Sequence, residues 1–189
     1  MKYIKTMVAI IVIFTLNLLA QTGDITKEPG YVDFGDLTKF EKSTGVTEVT
    51  LDEDLLSTLA EISTDEDPNV MEILKGLKLV KANVFEVNES NQAELEARVN
   101  SIDSKLTSSD WKRIVRTRSD DEIANVYIKR NNNKQIVGLT VTTVEKNDEA
   151  AFVNIVGKIN LASIGRIGKQ FNIPHLNDVN HNKEKSDEN

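Results

Sequence analysis

An α+β two-layer sandwich, with a mainly antiparallel sheet and helices packed on one face, is the fold class that this sequence predicts. Two observations carry that expectation. Apolar residues recur at helical spacing in separate stretches before Ser108, and again after Asn160. Between Trp111 and Val156, four stretches rich in β-branched residues follow one another, parted only by short polar turns. The second pattern is that of a C-terminal four-strand meander, which needs no long crossovers. The chain has no cysteine, so burial of apolar surface must hold the fold without disulfides. A domain of roughly 150 residues can do so.

The elements follow in order. Tyr31 to Phe40 places Val32, Phe34, Leu37 and Phe40 among polar neighbours and reads as a strand or short helix. Gly45 breaks the chain, and Val46 to Leu51 mixes β-branched and polar positions as a half-buried strand does. Asp52 is a helix N-cap, with Glu53 and Asp54 in the first turn where acids suit the helix dipole. Leu55, Leu56, Leu59 and Ile62 form that helix's apolar face. Asp67-Pro68 starts a second helix, and Gly76 ends it. Leu79 to Val87 is a strand. Asn91 with Glu94 resembles a capping box, and Leu95, Val99, Ile102 and Leu106 give the next helix the best-defined buried stripe in the chain.

Strands are expected at Trp111–Arg118, Ile123–Arg130, Ile136–Val144 and Phe152–Val156. Asn131-Asn132-Asn133 marks a tight hairpin, because asparagine tolerates positive φ. Leu161, Ile164, Gly168 and Phe171 fit a last helix. Residues 174–189 lose all hydrophobic periodicity and read as a disordered tail. Trp111, the single tryptophan, reads as a core anchor.

The N-terminus reads as an export signal. Lys2 and Lys5 precede an apolar run from Met7 to Ala20. A membrane-spanning helix needs roughly 20 apolar residues, whereas a signal peptide core needs about 7–15. Residues 1–20 are therefore expected to be cleaved after Ala20, leaving no permanent transmembrane segment. Residues 21–30 then act as a linker and 31–173 as a single domain. Lipid anchoring at this site would need a cysteine. Cleavage removes two lysines and no acid, so the net charge moves from −7 to −9. Such acidity opposes nucleic-acid binding, which depends on Lys and Arg.

Catalytic and metal constellations are missing from the pattern. The two histidines, His175 and His181, both lie in the polar tail. Asp65-Glu66-Asp67 lacks the alternation, glycine and distal glutamate of a calcium loop and reads as capping acids. No cofactor and no metal are expected. The departure from the acidic average is a basic strip: Arg113, Arg116, Arg118, Lys129 and Arg130, with Lys112 and Lys134 nearby. Arg116 and Arg118 share a strand face by period two. The strip is the candidate binding surface for an anionic ligand or an envelope protein. Solvated charge that guards an edge strand is its plainer reading.

One resemblance adds to this. Asp65-Glu66-Asp67-Pro68, Leu74-Lys75-Gly76-Leu77, Val84-Phe85, Trp111, Val126-Tyr127-Ile128-Lys129, Gly138-Leu139-Thr140-Val141 and Phe152-Val153-Asn154-Ile155-Val156-Gly157 with Ile159 form an ordered set. That set resembles the domain of unknown function 4252 family over about residues 31–171. The resemblance implies a small exported protein of a Gram-negative envelope and brings no catalytic residues.

The expectation is a non-enzymatic, exported binding or interaction module in the periplasm or outside the cell. The alternatives are an envelope-stress or signalling accessory protein, or a small carboxylate-based enzyme using Arg116 or Arg118. Export makes a direct prediction. Protein recovered from producing cells starts at Gln21 by N-terminal sequencing, and a chain still carrying Met1 contradicts it.

Overall fold

The computed structural model describes residues 23–40, 45–62 and 68–160. The signal-peptide reading, the acids at 65–67, the helix expected over 161–171 and the tail fall outside them. Six strands form one antiparallel sheet: β1 (Val46–Asp52), β2 (Leu77–Glu86), β3 (Trp111–Arg118), β4 (Glu122–Arg130), β5 (Ile136–Glu145) and β6 (Glu149–Ile159). Their order across the sheet is β1-β2-β6-β5-β4-β3. Among the described residues three α-helices accompany them: α1 (Glu53–Ile62), α2 (Pro68–Lys75) and α3 (Gln92–Thr107). The fold is α+β.

The helices do not share one face, which corrects the expectation. On β6, Val153 and Ile155 pack with Leu56 and Ala60 of α1 and Leu74 of α2. Phe152, of the opposite parity, packs with Leu95, Val99, Ile102 and Leu106 of α3. Successive strand residues point to opposite faces, so α3 lies across the sheet from α1 and α2. The sequence carries the reason. Ala150 to Gly157 is buried without a break, the pattern of a strand covered on both sides. Burying the four apolar side chains of the α3 stripe contributes about 1.5–3 kcal/mol each.

The segment 31–40 forms neither strand nor helix, apart from a turn at its end. Even so, Val32, Phe34, Leu37 and Phe40 are buried in the α3-side core. Aromatic contacts explain how it docks: Phe34 meets Phe152 at 5.8 Å, Phe40 meets Phe85 at 5.6 Å, and Phe85 meets Phe152 at 6.2 Å between ring centroids. Upstream, the stretch read as linker includes a 3-10 turn at Ile25–Lys27, and Gly30 is buried. Gly30 lies flat on Gly138: a Cβ on Gly138 would fall 2.5 Å from the Gly30 Cα and 2.7 Å from Trp111 Cη2. Both positions therefore need glycine.

Asn154 fastens this segment to the sheet. Its side chain is fully buried. Its Oδ1 accepts from the Val32 N–H at 2.9 Å. Its Nδ2 donates to Gly30 O at 2.9 Å, with Leu139 O and Thr140 Oγ1 at 3.2 and 3.3 Å. An amide side chain thus does for the segment what a neighbouring strand would do.

Local chemistry departs from the sequence pattern in three places. Asp52 does cap α1, accepting from the Leu55 N–H at 2.9 Å, but Leu55 and Ile62 face solvent at 49% and 72% exposure. The capping box at Asn91 does not form, because Asn91 Oδ1 accepts from the Asn88 N–H and Glu94 pairs with Lys39. In the 131–135 hairpin the positive φ falls on Lys134, while Asn131 Oδ1 accepts from the Asn133 and Gln135 N–H groups.

Replacing Asn154 with alanine strips partners from the Val32 N–H and the Gly30 carbonyl. The expected loss is about 2–4 kcal/mol of stability, read as a lower urea midpoint, with hydrogen exchange accelerated at Val32. A midpoint unchanged from wild type contradicts the fastening role.

Candidate functional site

On the α3 side of the sheet, polar residues line up across the strands. Strand register puts Lys81, Asn154, Thr140, Tyr127 and Arg113 in one row from β2 to β3. A second row runs Glu48, Asn83, Phe152, Thr142, Asn125 and Arg116. The next is apolar up to its edge: Val46, Phe85, Ala150, Val144, Ile123 and then Arg118. A face meant only for helix packing would not carry two polar rows, since burying such groups costs unless each is paired.

The basic strip ends these rows. Arg116 and Arg118 share a face, as period two requires. A register shift between Arg113 and Val115 turns Arg113 onto that same face. The strip is not one patch, however. Arg118 lies opposite Ile123 and Trp111 opposite Lys129, so its two ends stand roughly 20 Å apart along β4. Several of its members are also engaged. Arg113 pairs with Asp103 of α3, and Arg118 Nη2 donates to Asn100 Oδ1 at 2.8 Å. Lys129 Nζ donates to Ser109 O at 2.6 Å. Arg116 and Arg130 are exposed and have no partner among the described residues. Lys112 sits opposite Ile128 and so points to the other face. Arg113 and Arg118 therefore tie strand β3 to α3.

Tyr127 completes the grip. It is fully buried, and its hydroxyl donates to the same Asp103 carboxylate that receives Arg113. Burial, then the hydrogen bond to Asp103, push its pKa well above the usual tyrosine value. The Arg113 guanidinium is held even more firmly protonated, first by the Tyr127 hydroxyl oxygen and also by Asp103.

The segment 23–40 leaves a groove on each flank. The larger, about 490 Å³, is lined by Thr26, Pro29, Tyr31, Val32 and Asp33, by Lys105, Leu106 and Ser109 at the end of α3, and by Trp111 and Lys129. Lys105 Nζ donates to Asp33 O at 3.2 Å. The sequence pointed to Lys129 but not to Lys105 or Tyr31, because a lysine in a helix's last turn looks like ordinary dipole compensation. The smaller groove, about 250 Å³, lies between residues 31–38 and strands β1 and β2, where Glu48, Lys81 and Asn83 line it. Asn83 is 2% exposed and its Oδ1 has no hydrogen-bond partner among the described residues. A buried polar atom left so costs about 1–3 kcal/mol. Thr142 Oγ1, in the same row, is the other such atom among the described residues.

Among the described residues no group of three His, Cys, Asp or Glu could hold a metal ion, and no helix is long and apolar enough to cross a membrane. A family model described as Domain of unknown function (DUF4252) matches residues 40–167. That agrees with the resemblance carried by the ordered residue set, and it starts downstream of most of the segment that walls the grooves. No curated protein and no solved structure matches the chain.

The raised Tyr127 pKa fixes a pH dependence. Unfolded tyrosine loses its proton near pH 10, while the folded hydroxyl keeps it to higher pH. The stabilisation is complete below about pH 10 and is lost as pH rises beyond it. Urea midpoints should therefore fall more between about pH 9 and 11 in the wild type than in Tyr127→Phe. Equal falls in the two proteins contradict the Tyr127–Asp103 assignment.

Proposed function

Because the chain belongs to the DUF4252 family, whose description carries no activity, we propose its function from its own surface. It is an exported, non-enzymatic binding module that holds an anionic group of an envelope partner in the larger groove on the α3 side. Residues 1–20 support the export half of this reading, through their basic start and short apolar core. The run β3 to β6 serves as a meander platform that presents the groove.

The observation that carries the binding half is the convergence of Lys105 and Lys129. They come from different elements, α3 and β4, yet line the same groove in a chain of net charge −7. An ammonium has three N–H donors. The hydrogen bonds of Lys105 to Asp33 O and of Lys129 to Ser109 O leave donors over on both. Tyr31 and Trp111 supply aromatic surface beside them. A carboxylate or phosphate seated there receives charge-assisted hydrogen bonds. The net negative charge of the chain repels the same group over much of the rest of the surface, which limits the docking sites. Arg116, exposed at the end of its row, is a second attractive charge that steers approach without touching the groove.

Trp111 is the single tryptophan and lines the groove, so its emission reports occupancy. Titration of the mature chain with a glutamate-rich peptide should give a saturable change in emission. Lys105→Glu combined with Lys129→Glu should weaken it about tenfold, and added salt should weaken it too. A double variant that melts like the wild type and binds the peptide equally well overturns the proposal, as does a wild type that shows no saturable change.

A further inference from the structure

The smaller groove has chemistry that an anion site does not need. Glu48 and Asn83 face each other across β1 and β2. Lys81 lies two residues along β2 on the same face, diagonal to Glu48. Directly opposed Cβ atoms stand about 4.5–5.5 Å apart and diagonal ones about 7–8 Å, within reach of long side chains. Yet Glu48 and Lys81 form no ion pair with each other or with any described residue. Between them sits the buried Asn83 amide with its unpartnered oxygen. An acid, a base and an amide thus share one concave surface without bonding one another.

The opposite wall is already in place. Arg98 of α3 donates to Phe34 O at 3.1 Å and to Asp36 O at 2.9 Å. Asp33 Oδ1 accepts from the Gly35 N–H, and Asp36 Oδ1 accepts from the Thr38 N–H and hydroxyl. Gly35 adopts φ 77°, and a Cβ there would stand 2.3 Å from an Arg98 nitrogen. A wall held this way need not reorganise when a ligand enters, which lowers the entropic cost of binding.

We infer that this groove binds a free α-amino acid with a neutral or cationic side chain. Lys81 receives the carboxylate and Glu48 the ammonium. A half turn of the Asn83 amide exchanges its oxygen and nitrogen, so it presents either an acceptor or a donor to the polar atom between them. The volume of about 250 Å³ suits a ligand of this size. Asp33 and Asp36 add negative charge to the lining, which disfavours an acidic side chain. This goes beyond the anion-binding groove, using other residues and another ligand.

The test is calorimetric titration of the mature chain with a panel of free α-amino acids, followed by the N-acetylated and amidated forms of the best binder. Saturable binding is expected for a neutral or cationic member. Glu48→Gln, Lys81→Met, N-acetylation and amidation should each weaken it about tenfold. Lys105→Glu with Lys129→Glu should leave it unchanged, which separates this site from the larger groove. Asn83→Leu should lose binding without lowering the melting temperature, since the Asn83 side chain makes no hydrogen bond among the described residues. The inference is overturned by no saturable binding up to about 10 mM ligand. It is equally overturned by binding that survives both charge substitutions, by blocked forms that bind as well as the free amino acid, or by an Asn83→Leu variant that melts well below the wild type.

Discussion

A single buried amide organises the α3 side of this protein. Asn154 sits near the middle of the sheet, on a strand flanked by β2 and β5, and its side chain bonds to a segment more than a hundred residues upstream. A polar group in so dry a place is tolerated only when its hydrogen bonds are made. The chain makes them with its own N-terminal backbone. The consequence is geometric. Once Gly30 and Val32 are fixed over β6, Phe34 and Phe40 must come down on Phe152 and Phe85, and the segment divides the face into two grooves.

Much of this was legible in the residues. The α3 stripe, the Asp52 cap and the positions of all six strands follow from periodicity and turn chemistry, which act over a few residues. What escaped depends on partners distant in sequence. The segment 31–40 has a strand's apolar content, but it takes its hydrogen bonds from a side chain instead of a ladder. The helices were placed on one face because each stripe alone says only that it is buried, not which side of the sheet buries it. The unbroken apolar run of β6 was the available clue, since a strand that is apolar on both parities needs cover on both faces.

The basic strip shows the same limit. Alternation put Arg116 and Arg118 together, but the register shift that adds Arg113 is invisible without the neighbouring strand. So are Asp103 and Asn100, which turn two of these arginines into fasteners for α3. The residues that line the grooves look unremarkable in sequence: a last-turn lysine, a glutamate on an edge strand, an asparagine inside an apolar run. Asn83 offered the faintest of signals, as a polar residue between Ala82 and the apolar pair Val84-Phe85.

The order of the strands carries a consequence for when this molecule becomes a molecule. β6 is the last strand of the sheet to be synthesised, and it lies between β2 and β5. Without it, β1 and β2 form one piece and β3, β4 and β5 another, with nothing to join them. Contacts so distant along the chain form late and slowly. The nascent polypeptide accordingly stays open until β6 has been made. Under the export proposed above, in which the chain crosses a membrane as a thread before folding, that delay works as a timer, and its setting is written in topology rather than in any single residue.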